Sequence, residues 1–409
     1  MRTSSTRVSR RIAATSAFLG VLLASVGTTP AHAETIRSQQ WHLDLMKADE
    51  MWQISTGKGV TVAVVDTGVK PVPELEGQVL DGKDFSVKPG GTRDDFGNHG
   101  TSMAALIAAT GQGPGGDGAF GLAPGAKILP VRVDLSAGER GDKNGAVGIR
   151  YAADSDAKII NISRGGPYDG AASRDAVKYA LSKGKLIFAA VGNDAEFGRE
   201  LKYPAAIPGV VGVGAVDKTV KATKESQRGA QVDMVAPGMD MVTACAGDTG
   251  LCKSHGTSDA TALASASAAL IWSKHPNWTS NQVLRVMLNT IGGPTDGAKR
   301  NDSIGYGFVR PRIALKTPGD PGPADEYPLP DLAEAAAKSP PPATSKPSGS
   351  AADNEKDDDE QPAAIATATA SDGGSSTGLW IGLGIGAAVI IGGAVAVSVV
   401  RSRRATTAP

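Results

Sequence analysis

From Lys58 to about Leu315, short and nearly unbroken apolar runs alternate with stretches of helical period. The runs lie at Val60 to Val65, Lys127 to Val133, Lys158 to Ile162, Lys185 to Val191 and Val210 to Val216. They are rich in Val, Ile and Ala and show little polar alternation, so they read as strands buried on both faces. Helical period is carried by Asn98 to Ala109, Lys143 to Ala153, Ala171 to Lys183, Thr257 to Lys274 and Ser280 to Asn289. Strand and helix in turn predict an α/β fold, a mostly parallel sheet with helices on both faces. In such a sheet functional residues belong at the carboxyl ends of strands and the helix starts that follow.

The pattern changes at both ends of the chain. Residues 1–33 read as an export signal: Arg2, Arg7, Arg10 and Arg11, an apolar run from Ile12 to Val26, then Ala31-His32-Ala33 as a cleavage site. The Arg10-Arg11 pair is followed by Ile12-Ala13-Ala14, a poor twin-arginine match, which favours general secretion. Residues 34–57 form an N-terminal extension to a domain at 58–315. Residues 316–377 are rich in Pro, Ala, Ser and acidic side chains, with too few large apolar groups to pack, and are expected to be a disordered tether. Within 378–400, Leu379 to Val400 carries no charge, about the 20 residues needed to cross a bilayer. Arg401, Arg403 and Arg404 then open a basic tail, 401–409. This order predicts a single-pass protein with its folded domain outside the cell and its C-terminus in the cytoplasm. Gly382 and Gly386 in the span would suit packing against another transmembrane helix.

Composition narrows the picture. With 52 glycines and only 4% aromatics, the core is expected to be tight and built from small side chains. The 42 basic residues balance the 42 acidic ones, so no overall field draws the chain to nucleic acid. Two cysteines, Cys245 and Cys252, show no zinc spacing. In an exported protein they are expected to form a disulfide closing a short loop, the alternative being two buried free thiols. No cofactor or catalytic metal is expected, and structural calcium sites are not readable here.

Four polar residues fall where an α/β sheet places its chemistry. Asp66 ends the run Val62 to Val65, His99 opens a helix after Asp95-Phe96-Gly97-Asn98, Asn193 follows a buried strand, and Ser258 starts a long helix of small residues. Taken singly, each has a plain structural reading as a turn former, a cap or a core residue. Together they supply a nucleophile, a base, a carboxylate to orient the base and an amide donor. The triad also runs in the order Asp, His, Ser, one of the three orders found on unrelated serine-hydrolase folds.

At these residues the chain resembles the subtilisin-like serine proteases. The likeness is carried by Val62 to Gly68, His99-Gly100-Thr101, Asn161 to Gly166, Ala189 to Asn193 and Gly256 to Ala260. It extends over about Gln40 to Leu315 and includes the closing Gly305 to Val309. The resemblance implies a serine endopeptidase with Asp66, His99 and Ser258 as triad and Asn193 in the oxyanion hole. It also implies a peptide or protein substrate lying as an extended strand along Ser163, Arg164, Gly165 and Gly166. Within the family the plan is most similar to a mycosin, the membrane-anchored protease of type VII secretion, which implies secretion-complex subunits as partners. Support comes from the signal, the Pro-rich tether, the span and a segment from Glu34 to Asp66 too short for a long inhibitory propeptide.

Several positions depart from the family pattern. Arg164 stands where an apolar residue is usual; it either favours an acidic or polar substrate side chain or points into solvent. Ala262 replaces a common proline and Ala105 a common glycine. Asp259, beside the nucleophile, is unusual and would suit a helix N-terminus. Two other hydrolase classes are excluded, because the serine lacks a G-x-S-x-G elbow and no H-E-x-x-H is present. A rival from a different class stays open: a structural subunit of a membrane secretion complex whose peptidase activity is secondary.

Overall fold

The structure, a computed structural model, describes residues 34–134, 138–247 and 249–338. The export signal, most of the tether and the apolar run Leu379 to Val400 lie outside the described residues. Among the described residues no helix is long and apolar enough to cross a membrane.

A seven-stranded parallel sheet organises the domain. Its strands are β1 (Thr61–Asp66), β2 (Lys83–Asp84), β3 (Lys127–Arg132), β4 (Ile159–Ile162), β5 (Leu186–Ala190), β6 (Val211–Val216) and β7 (Met234–Pro237), in the spatial order β2-β3-β1-β4-β5-β6-β7. The chain reaches β3 on one side of β1 and then β4 on the other, with Asp66 opposite Arg132 and Val62 opposite Ile159. That reversal opens a crevice at the carboxyl end of β1, where Asp66 sits.

Alternate side chains of each strand enter two separate cores, as period-two geometry requires. Val62 and Val64 face a core shared with α4 (His99–Ala108) and α7 (Thr257–Lys274). Ala63 and Val65 face one shared with α5 (Gly138–Asp154) and α6 (Ala171–Ser182). Helix α7 is buried nearly all round, from Asp259 to Trp272. Its alanines at 260, 262, 264, 266, 268 and 269 let it lie close to the strands, which accounts for the small-residue composition. Helix α8 (Ser280–Asn289) starts where the sequence predicts, because Thr279 and Gln282 form a reciprocal capping box.

The antiparallel hairpin β8 (Met241–Ala244) and β9 (Leu251–Ser254) leads directly into α7. Cys245 and Cys252 are bonded across its end with their Cα atoms 5.7 Å apart, an ordinary disulfide separation. Of the two cysteine readings, the disulfide is the one observed.

Two segments outside the predicted pattern prove to be packed. The N-terminal extension forms α1 (Ile36–Gln39), α2 (Trp41–Met46) and α3 (Ala48–Trp52), which bury Leu43, Met46 and Met51 in the core. Gln40 is wholly buried between two strangers in sequence. Its amide donates to the carbonyls of Phe120 at 2.8 Å and Val242 at 3.1 Å, and its carbonyl accepts from the Phe120 N–H at 2.9 Å. Gln40→Ala leaves these buried groups unmet and is expected to lower stability by about 2–3 kcal/mol, read as a fall in the urea midpoint at unchanged slope.

The start of the supposed tether is likewise ordered. After α9 (Pro311–Lys316), the chain runs across α8, where Arg285 donates to the carbonyls of Pro321, Pro323 and Glu326. It buries Leu329 and ends in α10 (Asp331–Lys338). The expectation of disorder from residue 316 is therefore corrected for 316–338. Carbonyl groups gathered by one guanidinium hold this strap where apolar side chains are scarce.

Candidate active site

Asp66 closes β1 and is fully buried, so its carboxylate must find partners within the protein. His99 Nδ1 lies 2.8 Å from its Oδ1 and 3.0 Å from its Oδ2. Thr67 N–H donates to Oδ1 at 2.8 Å, fixing the carboxylate from behind. His99 is the first residue of α4, and its preceding residue Asn98, in the left-handed conformation, makes no side-chain cap. Buried Asp95 performs that task from outside the helix, accepting from Thr101 N–H at 2.8 Å and Thr101 Oγ1 at 2.7 Å. Its other oxygen accepts from Thr67 Oγ1 at 2.7 Å, and Thr67 Oγ1 in turn accepts from Gly100 N–H at 3.0 Å. A second carboxylate thus ties the start of α4 to the end of β1. A Cβ on Gly100 would fall 2.2 Å from the Gly68 carbonyl, so only glycine permits this approach.

Ser258 lies in the first turn of α7 and is held by Ser163, which follows β4. Ser163 Oγ donates to the Ser258 carbonyl at 2.9 Å, while Ser258 Oγ donates to the Ser163 carbonyl at 2.8 Å. Reaching His99 requires Ser258 Oγ to rotate off that carbonyl, the kind of tightening expected as substrate binds. Buried Asn161 on β4 braces the arrangement through Ser163 Oγ and Ser265 Oγ, each at 3.0 Å. Asn193 Oδ1 accepts from Thr257 N–H at 2.8 Å and Thr257 Oγ1 at 2.9 Å. The side-chain NH2 of Asn193 is thereby left as its outward donor. Gly256, with φ +122°, lets this amide come close, since a Cβ there would fall 2.7 Å from Nδ2.

An open cavity of about 530 Å³ unites Ser258 and Asn193 with Arg164, Gly165, Gly166 and Lys202. The four predicted substrate-strand residues separate here. Ser163 is engaged with Ser258, and the backbone of Gly166 is paired with Tyr203 in both directions, at 3.1 and 2.8 Å. Arg164 and Gly165 remain to line the cavity. The Arg164 guanidinium does not point into solvent: it donates to the Asp134 main-chain carbonyl. Lys202 was not legible as a site residue; its stem forms the cavity wall and its ammonium meets Asp194 at 2.5 Å and Glu200 at 3.2 Å. Among the described residues, no three His, Cys, Asp or Glu side chains gather as metal ligands would.

The electrostatics follow from burial and charge. Burial pushes the Asp66 carboxyl up, but the charge of His99 and hydrogen bonds from His99 and Thr67 outweigh it, so Asp66 is lowered and ionised. His99 is raised to about 9, chiefly by the Asp66 charge and against its own burial. An imidazole that binds a proton this readily is a strong base once free. Asp259 behaves differently: burial raises it to about 6, the reverse of what a helix N-terminus alone would do.

Comparison with known proteins agrees with this geometry. The model of the subtilase family, Peptidase S8, matches residues 57–308. The M-protease of Shouchella clausii is 35% identical over 261 residues, covering 64% of this chain and 65% of that protein. Subtilisin Savinase of Lederbergia lenta is 35% identical over 58% of this chain and 84% of its own length. Among solved structures, MycP1 from Mycobacterium smegmatis superposes with a TM-score of 0.62 at 27% identity, covering 74% of this chain and 90% of that one. The periplasmic assembly from the ESX-5 inner membrane complex contains a chain that matches at a TM-score of 0.63 and 27% identity, over 74% of this chain and 91% of that one. With a family model spanning more than half of its length, this chain belongs to the subtilase family.

Proposed function

We propose that the chain is a serine endopeptidase. The observation that carries this reading is the Asp66–His99 pair at the mouth of a crevice that Ser258 and Asn193 share. Ser258 attacks the scissile carbonyl carbon as His99 Nε2 takes its hydroxyl proton, and Asp66 steadies the resulting imidazolium. The oxyanion is met by the Asn193 side-chain NH2 and the Ser258 N–H at the start of α7. His99 then hands its proton to the leaving amine, and water repeats the cycle on the acyl-enzyme.

The cellular setting is limited processing of a protein substrate at the outer face of a membrane, beside a type VII secretion system. Fold and site likeness to MycP1, and to a chain in the ESX-5 periplasmic assembly, supports this setting. Leu379 to Val400 would provide the anchor. The same ESX-5 likeness favours a second role, bracing a secretion complex, with catalysis secondary.

A fluorophosphonate probe applied to membrane fractions tests the enzymatic reading. Labelling of the native chain and its loss in Ser258→Ala is the expected result; an unlabelled native chain would leave only the bracing role.

A further inference from the structure

The residue after Ser258 on α7 does not belong to the triad, yet it carries a charge into the core. Asp259 is 1% exposed. Ser254 Oγ, on β9, donates to its Oδ1 at 3.0 Å, and its Oδ2 is buried without a hydrogen-bond partner. Asp95 offers a contrast, since both of its oxygens are engaged by Thr67, Gly97 and Thr101. A carboxylate with one oxygen unmet, beside a nucleophile, costs stability and calls for a functional account.

The groups facing Asp259 come from three directions. His99 acts on it from α4, with Asp66 and Asp95 behind that imidazole. Ser254 and His255 approach from β9 and the turn after it, and Glu225 from the loop before β7. His255 Nδ1 is itself held by Glu225 Oε1 at 2.9 Å, so this outer pair brings one acid and one base and contributes little net charge. His99 is the charge that Asp259 most directly completes.

We propose that Asp259 is a positioning residue, a second carboxylate on the nucleophile's own helix that sets the acidity at which His99 is released from its proton to serve as base. The inference rests on the reading of His99 as that base. Its sign follows from charge. Ionised Asp259 favours the imidazolium and so delays release of the base to higher pH. Neutral Asp259 withdraws that support, and His99 gives up its proton at lower pH. Because burial places the Asp259 ionisation near 6, both forms occur across the range in which such an enzyme works.

The test compares the native chain with Asp259→Asn and Ser254→Ala. In Asp259→Asn the acid limb of kcat/KM is expected to move down by on the order of one pH unit, a gain of up to about tenfold at a fixed pH on that limb. Ser254→Ala removes the donor that favours the ionised carboxyl and is expected to move the limb the same way by less. It also keeps the test alive if the asparagine variant does not fold. The His99 imidazole is titrated in parallel by NMR in a Ser258→Ala background, where no turnover is needed. A purely structural Asp259 would change the melting temperature and leave both the limb and the His99 titration in place, which overturns the proposal. If Ser258 proved unreactive, the NMR titration would still judge Asp259 on its own.

Discussion

Asp66→Asn is expected to lower kcat by about 10⁴-fold, the scale known for neutralising the buried aspartate of a serine-protease triad, with KM little changed. The structure supplies the reason for so large a loss from one atom. Thr67 N–H donates to Asp66 Oδ1, so the amide of an asparagine would settle with its oxygen there and its NH2 at the Oδ2 position. That NH2 would face His99 Nδ1, which now stands 3.0 Å from Oδ2. Nδ1 would have to accept, the imidazole proton would move to Nε2, and the nitrogen needed to take the Ser258 proton would be blocked. Steady-state turnover of a fluorogenic peptide checks this, with Ser258→Ala as the floor and a thermal melt to confirm folding. A loss of less than about tenfold would remove Asp66 from its assigned role.

Asn193 carries the second large effect. Its Oδ1 is committed to Thr257, so only its NH2 is available to a developing oxyanion. Asn193→Ala is expected to lower kcat by about 10²- to 10³-fold, or roughly 2.7–4 kcal/mol of transition-state stabilisation. Asn193→Asp keeps the acceptor for Thr257 but replaces the donor with negative charge, and should fall at least as far. Because the donor acts on charge that appears only in the transition state, kcat and kcat/KM should drop together. A rise in KM alone would instead make Asn193 a substrate-binding residue.

How much of this could be read from the chain depended on where the information is stored. The strand ending at Asp66 was legible because Val62 to Val65 is apolar on both faces, and only a doubly covered sheet accepts such a run. Helix α7 was legible from its continuous small residues. Strand β7 and the β8–β9 hairpin were not: each strand is four residues long, and β7 ends in proline. The helices α1 to α3 are too short to show a period, and they hold their place through Gln40, whose partners are 80 and 202 residues away. Within the site, the residue types and their order pointed to Asp66, His99, Asn193 and Ser258. The Thr67–Asp95–Thr101 relay stayed hidden, although Asp95 lies inside the stretch that marks the histidine. Which hydroxyl meets which carboxylate is decided by packing, and no spacing rule encodes it.

The strap that ends in α10 also settles where load enters the domain. Asp331 Oδ2 accepts from the N–H of Gly209, just ahead of β6, so the described chain leaves at the amino ends of the parallel strands. Asp66 sits at their carboxyl ends and Ser258 beside the same crevice, on the opposite rim of the sheet. Tension from anything attached past Lys338 is therefore taken up first by Gly209 and by the carbonyl cluster at Arg285. The sheet stands between that tension and the nucleophile, which leaves the crevice mechanically quiet and turned away from the point of pull.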